Sequence, residues 1–173
     1  MSLQSPKNKD SVQSQVELLV GEAKKHNGAG DEALALDCYR QAAALMPGAP
    51  WLQHRTAEIA RKLKQYELAA VHYRRAAAAF VAAGFPKRAV APLRVAWQSS
   101  LVGLPGQSEA LITVTLELAH VQRTLGLSPE AAMSISSANQ ALRSSGSADR
   151  VPVTTESEAP TSGVKSEPLR RLA

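Results

Sequence analysis

Hydrophobic residues recur along the chain at intervals of three and four, the spacing that places side chains on one face of an α-helix. The first such stretch begins near Ser11 and ends at a glycine-containing turn at residues 28–30. The second follows Asp31, a residue type that favours the start of a helix, and ends at Pro47-Gly48. This pattern predicts two helices joined by a short turn and packed antiparallel.

The same spacing predicts five further helices, each bounded by glycine, proline or a capping serine. The alternation of period two that marks a strand is absent. We therefore predict an all-α fold of about seven helices, stacked as antiparallel hairpins. The five later helices are expected at residues 51–63, 66–83, 86–101, 107–125 and 128–144.

Polar segments flank the helical region. Residues 1–10 have no periodic apolar pattern and predict a disordered lead-in, while residues 145–173 predict a disordered tail rich in Ser, Thr, Pro and Glu. The helical domain is thus expected at residues 11–144. Near the end of the tail, Leu169 and Leu172 flank a basic pair, a pattern typical of a frayed end or, alternatively, of a short docking motif.

A set of small and aromatic residues repeats after 34 residues, the interval of stacked helical hairpins. A small residue on one helix lets the next lie close, and the aromatic ring fills the gap to the following hairpin. From Ala69 to Ala89 the interval is only 20 residues, which leaves room for one shared helix instead of a fresh hairpin. The repeated residues are Ala23, Ala35, Tyr39 and Ala42, followed by Ala57, Ala69, Tyr73 and Ala76.

These residues resemble the tetratricopeptide repeat family, in which a turn glycine is followed by Ala, Tyr and Ala and then by a closing proline. The first unit matches from Gly30 to Pro47, and a third unit fits around Gly126 with Ile135 in place of the aromatic. The resemblance covers Val16 to Ser144 and implies a right-handed superhelix of three units. A generic alanine-rich helical bundle is the alternative.

The formal net charge of +5 is concentrated in the middle of the chain. Residues 50–100 contain nine Lys/Arg and two Glu, so this basic block either solvates an alanine-rich surface or binds anions. Nucleic-acid binding is disfavoured, because several of its aromatic residues are needed in the core and few remain to stack on bases.

The resemblance also implies a site, because the family holds peptides in the groove formed by the first helix of each hairpin. Val20 stands where some members place a clamp lysine, so a receptor for chaperone tails is not supported. The remaining positions are basic with one aromatic and suit an acidic or amphipathic protein segment. The predicted partner-binding residues are Lys24, Asn27, Trp51, His54, Arg61, Lys62, His120 and Arg123.

No combination of residues predicts a catalytic, metal or cofactor site. The four histidines lack the paired spacing of a zinc motif, and Cys38 lies in an apolar helical stripe where a cysteine usually acts as a small hydrophobe. Residues 28–30 precede a helix, yet neither a preceding strand nor a following Lys-Ser or Lys-Thr accompanies them. We therefore expect a protein that is not an enzyme and needs no cofactor.

The leading hypothesis is an adaptor or scaffold that is a monomer or a weak homo-oligomer. A single cysteine and the lack of a long apolar run favour a cytoplasmic protein that is not inserted into a membrane. Two alternatives remain: a chaperone of the type that serves type III secretion translocators, and nucleic-acid binding through the basic block at residues 50–100.

Overall fold

The computed structural model describes residues 6–102 and 108–153. Over these residues the chain forms seven α-helices and no strand, which confirms the predicted all-α fold. Both ends of α3 to α7 lie within one residue of the boundaries expected from the sequence. The helices are α1 (Pro6–Ala29), α2 (Glu32–Leu45), α3 (Pro50–Lys62), α4 (Tyr66–Ala82), α5 (Pro86–Val102), α6 (Ser108–Thr124) and α7 (Ser128–Ser144).

The helical region differs from the expected one at its two ends. Helix α1 begins at Pro6, five residues before the expected start. After α7, the chain packs back onto that helix: Val151 is 2% exposed, its N–H donates to Asn139 Oδ1 at 2.8 Å, and its carbonyl accepts from Asn139 Nδ2 at 3.2 Å. The packed region therefore extends past Ser144, while residues 1–5 and 154–173, with the predicted leucine motif at 169–172, lie outside the described residues.

One type of turn joins four pairs of consecutive helices. Each turn contains a residue with positive φ, and the following N–H donates to the carbonyl five residues earlier at 2.8–2.9 Å. This is the Schellman arrangement, in which a left-handed residue closes the helix. Glycine adopts that conformation at little steric cost, so Lys64 is the exception among the four. The residues are Gly30 (φ 85°), Lys64 (60°), Gly84 (81°) and Gly126 (76°).

Each of these turns is followed at the same distance by the same buried positions. Five residues after the left-handed residue comes an alanine with no exposed surface, then a large apolar residue four positions on, then another fully buried alanine. The small side chains allow the helices to approach closely. The four sets are Ala35, Tyr39 and Ala42; Ala69, Tyr73 and Ala76; Ala89, Leu93 and Ala96; and Ala131, Ile135 and Ala138.

Every helix packs against the next one along the chain, and the pairs joined by the tight turn pack most extensively. The α2–α3 connection contains Pro47-Gly48, and the α5–α6 connection includes residues 103–107, outside the described part of the chain. Connections this short cannot run back along a helix, so neighbouring helices are antiparallel. The result is a stack in chain order.

The 20-residue step between Ala69 and Ala89 corresponds to a single helix, α4, which packs against both α3 and α5. Side chains of α1, α3 and α5 meet around one cavity, and those of α5 and α7 around another. On α4, Arg74 Nε donates at 2.8 Å to Glu117 Oε2 of α6. The odd-numbered helices thus form one layer and the even-numbered helices the other, so α6 lies beside α4 and not beside α3.

Candidate partner-binding groove

One face of α3 combines an aromatic ring with several charges. Its positions follow helical spacing and therefore lie on the same side of the helix. The opposite side, which includes Leu52 and Ala57, is fully buried against the neighbouring helices. Pro50 begins the helix at a position where its missing N–H costs nothing. We call this surface the α3 face; it comprises Trp51, His54, Arg55, Glu58, Arg61 and Lys62.

A large cavity of about 730 Å³ opens between α1, α3 and α5. Its lining combines apolar groups with charged groups at the N-terminal part of the α3 face. The aromatic rings of α2 and α4 contribute to it from the other layer. The lining residues are Val20, Lys24, Tyr39, Trp51, His54, Arg55, Glu58, Phe80, Arg88, Ala91 and Pro92.

Two further cavities extend along α3 towards its C-terminal end. One, about 350 Å³, shares Lys24 and Arg55 with the large cavity and adds Asn27, Arg61 and Lys62. The other, about 330 Å³, continues from Arg61 and Lys62 to residues 98–102 of α5. Because consecutive cavities share lining residues, we treat the three as one surface and call it the α3 groove.

Positive charge dominates the α3 groove. The first two cavities are lined by five Lys/Arg side chains and one carboxylate, that of Glu58. This carboxylate accepts from Arg55 Nη1 at 2.7 Å and lies 3.6 Å from His54 Nε2. Lys62 Nζ is 3.5 Å from Glu32 Oε1; water reaches both side chains, which weakens this ion pair. The groove consequently favours an acidic ligand.

A buried tyrosine supports the α3 face from below. Tyr73 of α4 is 2% exposed, and its ring meets that of His54 edge to face at a centroid distance of 5.2 Å. Burial raises the pKa of the Tyr73 hydroxyl, and the positive charge of the nearby Arg61 opposes that shift. Tyr73 thus contacts two side chains of the α3 face and restricts their orientation.

A second buried contact joins α2, α3 and α4 behind the groove. Gln53 is 1% exposed, and its amide nitrogen donates to the carbonyls of Ala43 at 3.3 Å and Pro47 at 3.4 Å. Its Oε1 lies 2.8 Å from His72 Nδ1, so that nitrogen carries the proton and donates. Burial, assisted by Arg75 and Arg40, lowers the pKa of His72 to about 4. The imidazole is therefore neutral at neutral pH.

The structure brings six of the eight predicted partner-binding residues together. Lys24, Asn27, Trp51, His54, Arg61 and Lys62 all line the α3 groove, as does Val20. His120 and Arg123 belong to α6, and Glu117, one turn before His120, pairs with Arg74 in the even-numbered layer. The interval between Ala69 and Ala89 holds one helix instead of a hairpin. As a result, α6 falls in the layer of α4 and not in the layer of α1 and α3.

Sequence reasoning missed several groove residues. Arg55 follows Trp51 by four positions, so helical spacing alone could have identified it. To predict Arg88 and Pro92 as groove residues, one would need to know that α5 lies in the same layer as α1 and α3. Tyr39 and Phe80 belong to the second helices of their hairpins, and no local signal shows that their rings reach the groove.

The remaining features concern metal-binding groups, the cysteine and membrane-spanning segments within the described residues. In the part of the chain that the structure describes, no group of three or more His, Cys, Asp or Glu could hold a metal ion. Cys38 is half-buried, and burial together with Glu22 and Asp37 raises the pKa of its thiol, which lowers the thiolate fraction. Among the described helices, none combines the length and hydropathy needed to cross a membrane.

The chain was compared with protein families, curated sequences and solved structures. No protein-family model and no curated protein sequence matches the chain. The chain is 18% identical to a solved structure described as "MamA RS-1 ArsTM double mutant", over 78% of both chains, with a TM-score of 0.36. It is also 18% identical to "MamA 41-end from Desulfovibrio magneticus RS-1", over 76% of this chain and 78% of that one, with a TM-score of 0.35. Similarity at this level supports no conclusion about family or function.

Proposed function

We propose that this chain is a non-enzymatic adaptor that binds an acidic or amphipathic segment of a partner protein in the α3 groove. The observation that supports this most directly is the groove lining, where five cations and one carboxylate surround cavities that also contain aromatic rings. A groove of this kind suits a peptide segment with both apolar and acidic side chains. The resemblance to tetratricopeptide repeats agrees with it.

Nucleic-acid binding through residues 50–100 has less support, because the cations of this block do not form one surface. Four of them, Arg55, Arg61, Lys62 and Arg88, line the α3 groove. Arg74 instead pairs with Glu117, and Arg94 lines the cavity between α5 and α7. A polyanion that follows a continuous strip of charge would therefore meet only part of the block.

The proposal is tested by capturing partners from the source cells with a tagged chain and identifying them by mass spectrometry. We expect the triple variant Lys24→Glu, Arg61→Glu and Lys62→Glu to lose the captured partner while its circular dichroism stays helical. Charge reversal within a binding groove typically costs several kcal/mol.

The matched control reverses three exposed cations outside the α3 groove: Arg75, Arg143 and Arg150. This control changes the net charge by the same amount and should retain the partner. Loss of the partner from the control but not from the groove variant would refute the proposal. Equal losses from both, reproduced by added salt, would indicate a non-specific polyanion interaction instead.

A further inference from the structure

The α3 face changes in character from one end to the other. Trp51, at the N-terminal end, is 49% exposed, while Arg61 and Lys62 are at the C-terminal end. Ten residues of α-helix correspond to about 15 Å. An extended peptide covers about 3.3–3.6 Å per residue, so four or five of its residues span this distance.

The N-terminal end of the groove suits an apolar side chain. Trp51 shares the lining of the 730 Å³ cavity with the apolar side chains of Val20, Phe80 and Pro92. Half of the Trp51 surface is still exposed, so a partner's aromatic or long aliphatic side chain would remove apolar area from water on both sides. Arg55 and Glu58, which separate this end from the other, neutralise one another in a 2.7 Å ion pair.

The C-terminal end suits carboxylates. The 350 Å³ cavity at this end is lined by Lys24, Asn27, Arg61 and Lys62. The polar groups of these side chains are all hydrogen-bond donors except the amide oxygen of Asn27. Arg61 also lies close to the hydroxyl of the buried Tyr73. The solvent-accessible ion pair between Lys62 and Glu32 is weak, so a carboxylate of a ligand can replace Glu32.

We propose that the α3 groove recognises a two-part segment: one aromatic or long aliphatic side chain, and a cluster of two or more carboxylates separated from it by two to five residues. This inference rests on the proposed adaptor function and specifies the ligand of the same groove. The apolar side chain would supply affinity in the large cavity, and the carboxylates would set the register at Arg61 and Lys62.

The test uses fluorescein-labelled synthetic peptides and fluorescence anisotropy with the full chain. The two-part peptide places one Phe three residues from a Glu-Asp-Glu cluster, and it is made in both orders along the chain. One control peptide replaces the Phe by Gly, and the other replaces the acidic residues by their amides. We expect the better order of the two-part peptide to bind at least tenfold more tightly than either control.

Variants of the groove should separate the two parts. In Trp51→Ala, the two-part peptide should bind no more tightly than the control with Gly in place of Phe. It should still bind more tightly than the control whose acidic residues are replaced by amides. The pair Arg61→Ser and Lys62→Ser should do the reverse. The variant Arg75→Ser, outside the groove, should change neither.

Three results would overturn the two-part proposal. The first is that the control peptide with Gly in place of Phe binds as tightly as the two-part peptide. The second is that neither order of the two-part peptide binds up to millimolar concentration. The third is that a single-stranded oligothymidylate of the same charge binds as tightly as the two-part peptide. If the groove variant still loses its captured partner while the peptides show no two-part preference, the adaptor function stands and only the two-part recognition fails. If capture is unaffected by the groove variant, the adaptor function itself fails.

Discussion

Acidification should destabilise this protein through His72. This side chain is 5% exposed, and the fold lowers its pKa from 6.5 to about 4. The unfolded chain therefore takes up the proton first as the pH falls. The stability that comes from keeping His72 neutral is fully present above pH 6.5 and is lost progressively between pH 6.5 and about 4.

The expected loss follows from the size of the pKa shift. Each pH unit between the two pKa values costs about 1.4 kcal/mol of unfolding free energy, because the unfolded state binds one more proton. Between pH 7 and pH 5 the loss from His72 alone is about 2 kcal/mol. Its structural cause is that an imidazolium at this place would be buried and close to the positive charges of Arg75 and Arg40.

Urea unfolding of the natural chain and of His72→Gln, at pH 7 and at pH 5, measures this loss. Glutamine keeps an amide near Gln53 but does not titrate, so the variant should lose about 2 kcal/mol less than the natural chain on acidification. Comparing the two chains cancels the contribution of other titrating groups. If both lose the same free energy of unfolding, His72 is not the group responsible and our reasoning about its burial is refuted.

Two further predictions test the packing and the turns. Ala69→Leu should lower the free energy of unfolding by about 1–3 kcal/mol, because Ala69 has no exposed surface and a larger side chain would overpack the site. Ala79→Leu, at a half-buried site, should cost less, and equal small losses at both sites in urea titrations would argue against the repeat register. Lys64→Gly should raise the free energy of unfolding by about 0.5–1 kcal/mol. Glycine removes the strain of φ 60°, and this gain exceeds the cost of its greater flexibility in the unfolded chain. A lower melting temperature would contradict this prediction.

Local signals were sufficient to predict the helices. Glycine adopts the left-handed conformation that ends a helix, and the buried alanines five residues later are small enough to let the helices approach closely, so both leave a trace in the sequence. The side chain of Asn139 binds the backbone of Val151, and nothing in the polar sequence after Ser144 indicated that contact. It depends on tertiary structure.

Part of the groove could also be predicted from local sequence spacing. Helical spacing shows that Trp51, His54, Arg61 and Lys62 share one face of α3, so that part of the site follows from the sequence. Which layer α6 occupies depends on how many helices precede it, and the position of His120 therefore depends on the whole array. The three hydrogen-bond contacts of Gln53 are made only when α2, α3 and α4 are packed together, so its buried position does not follow from local sequence.

The odd number of helices has a practical consequence for building fusions. Over the described residues seven antiparallel helices follow one another, so α1 and α7 point in the same direction. The amino end of α1 and the carboxyl end of α7 therefore lie at opposite edges of the stack. Probes attached at these two helix ends would be offset along the helix axes by the length of α7, about 25 Å for its 17 residues. An array with an even number of helices would instead bring both probes to one edge.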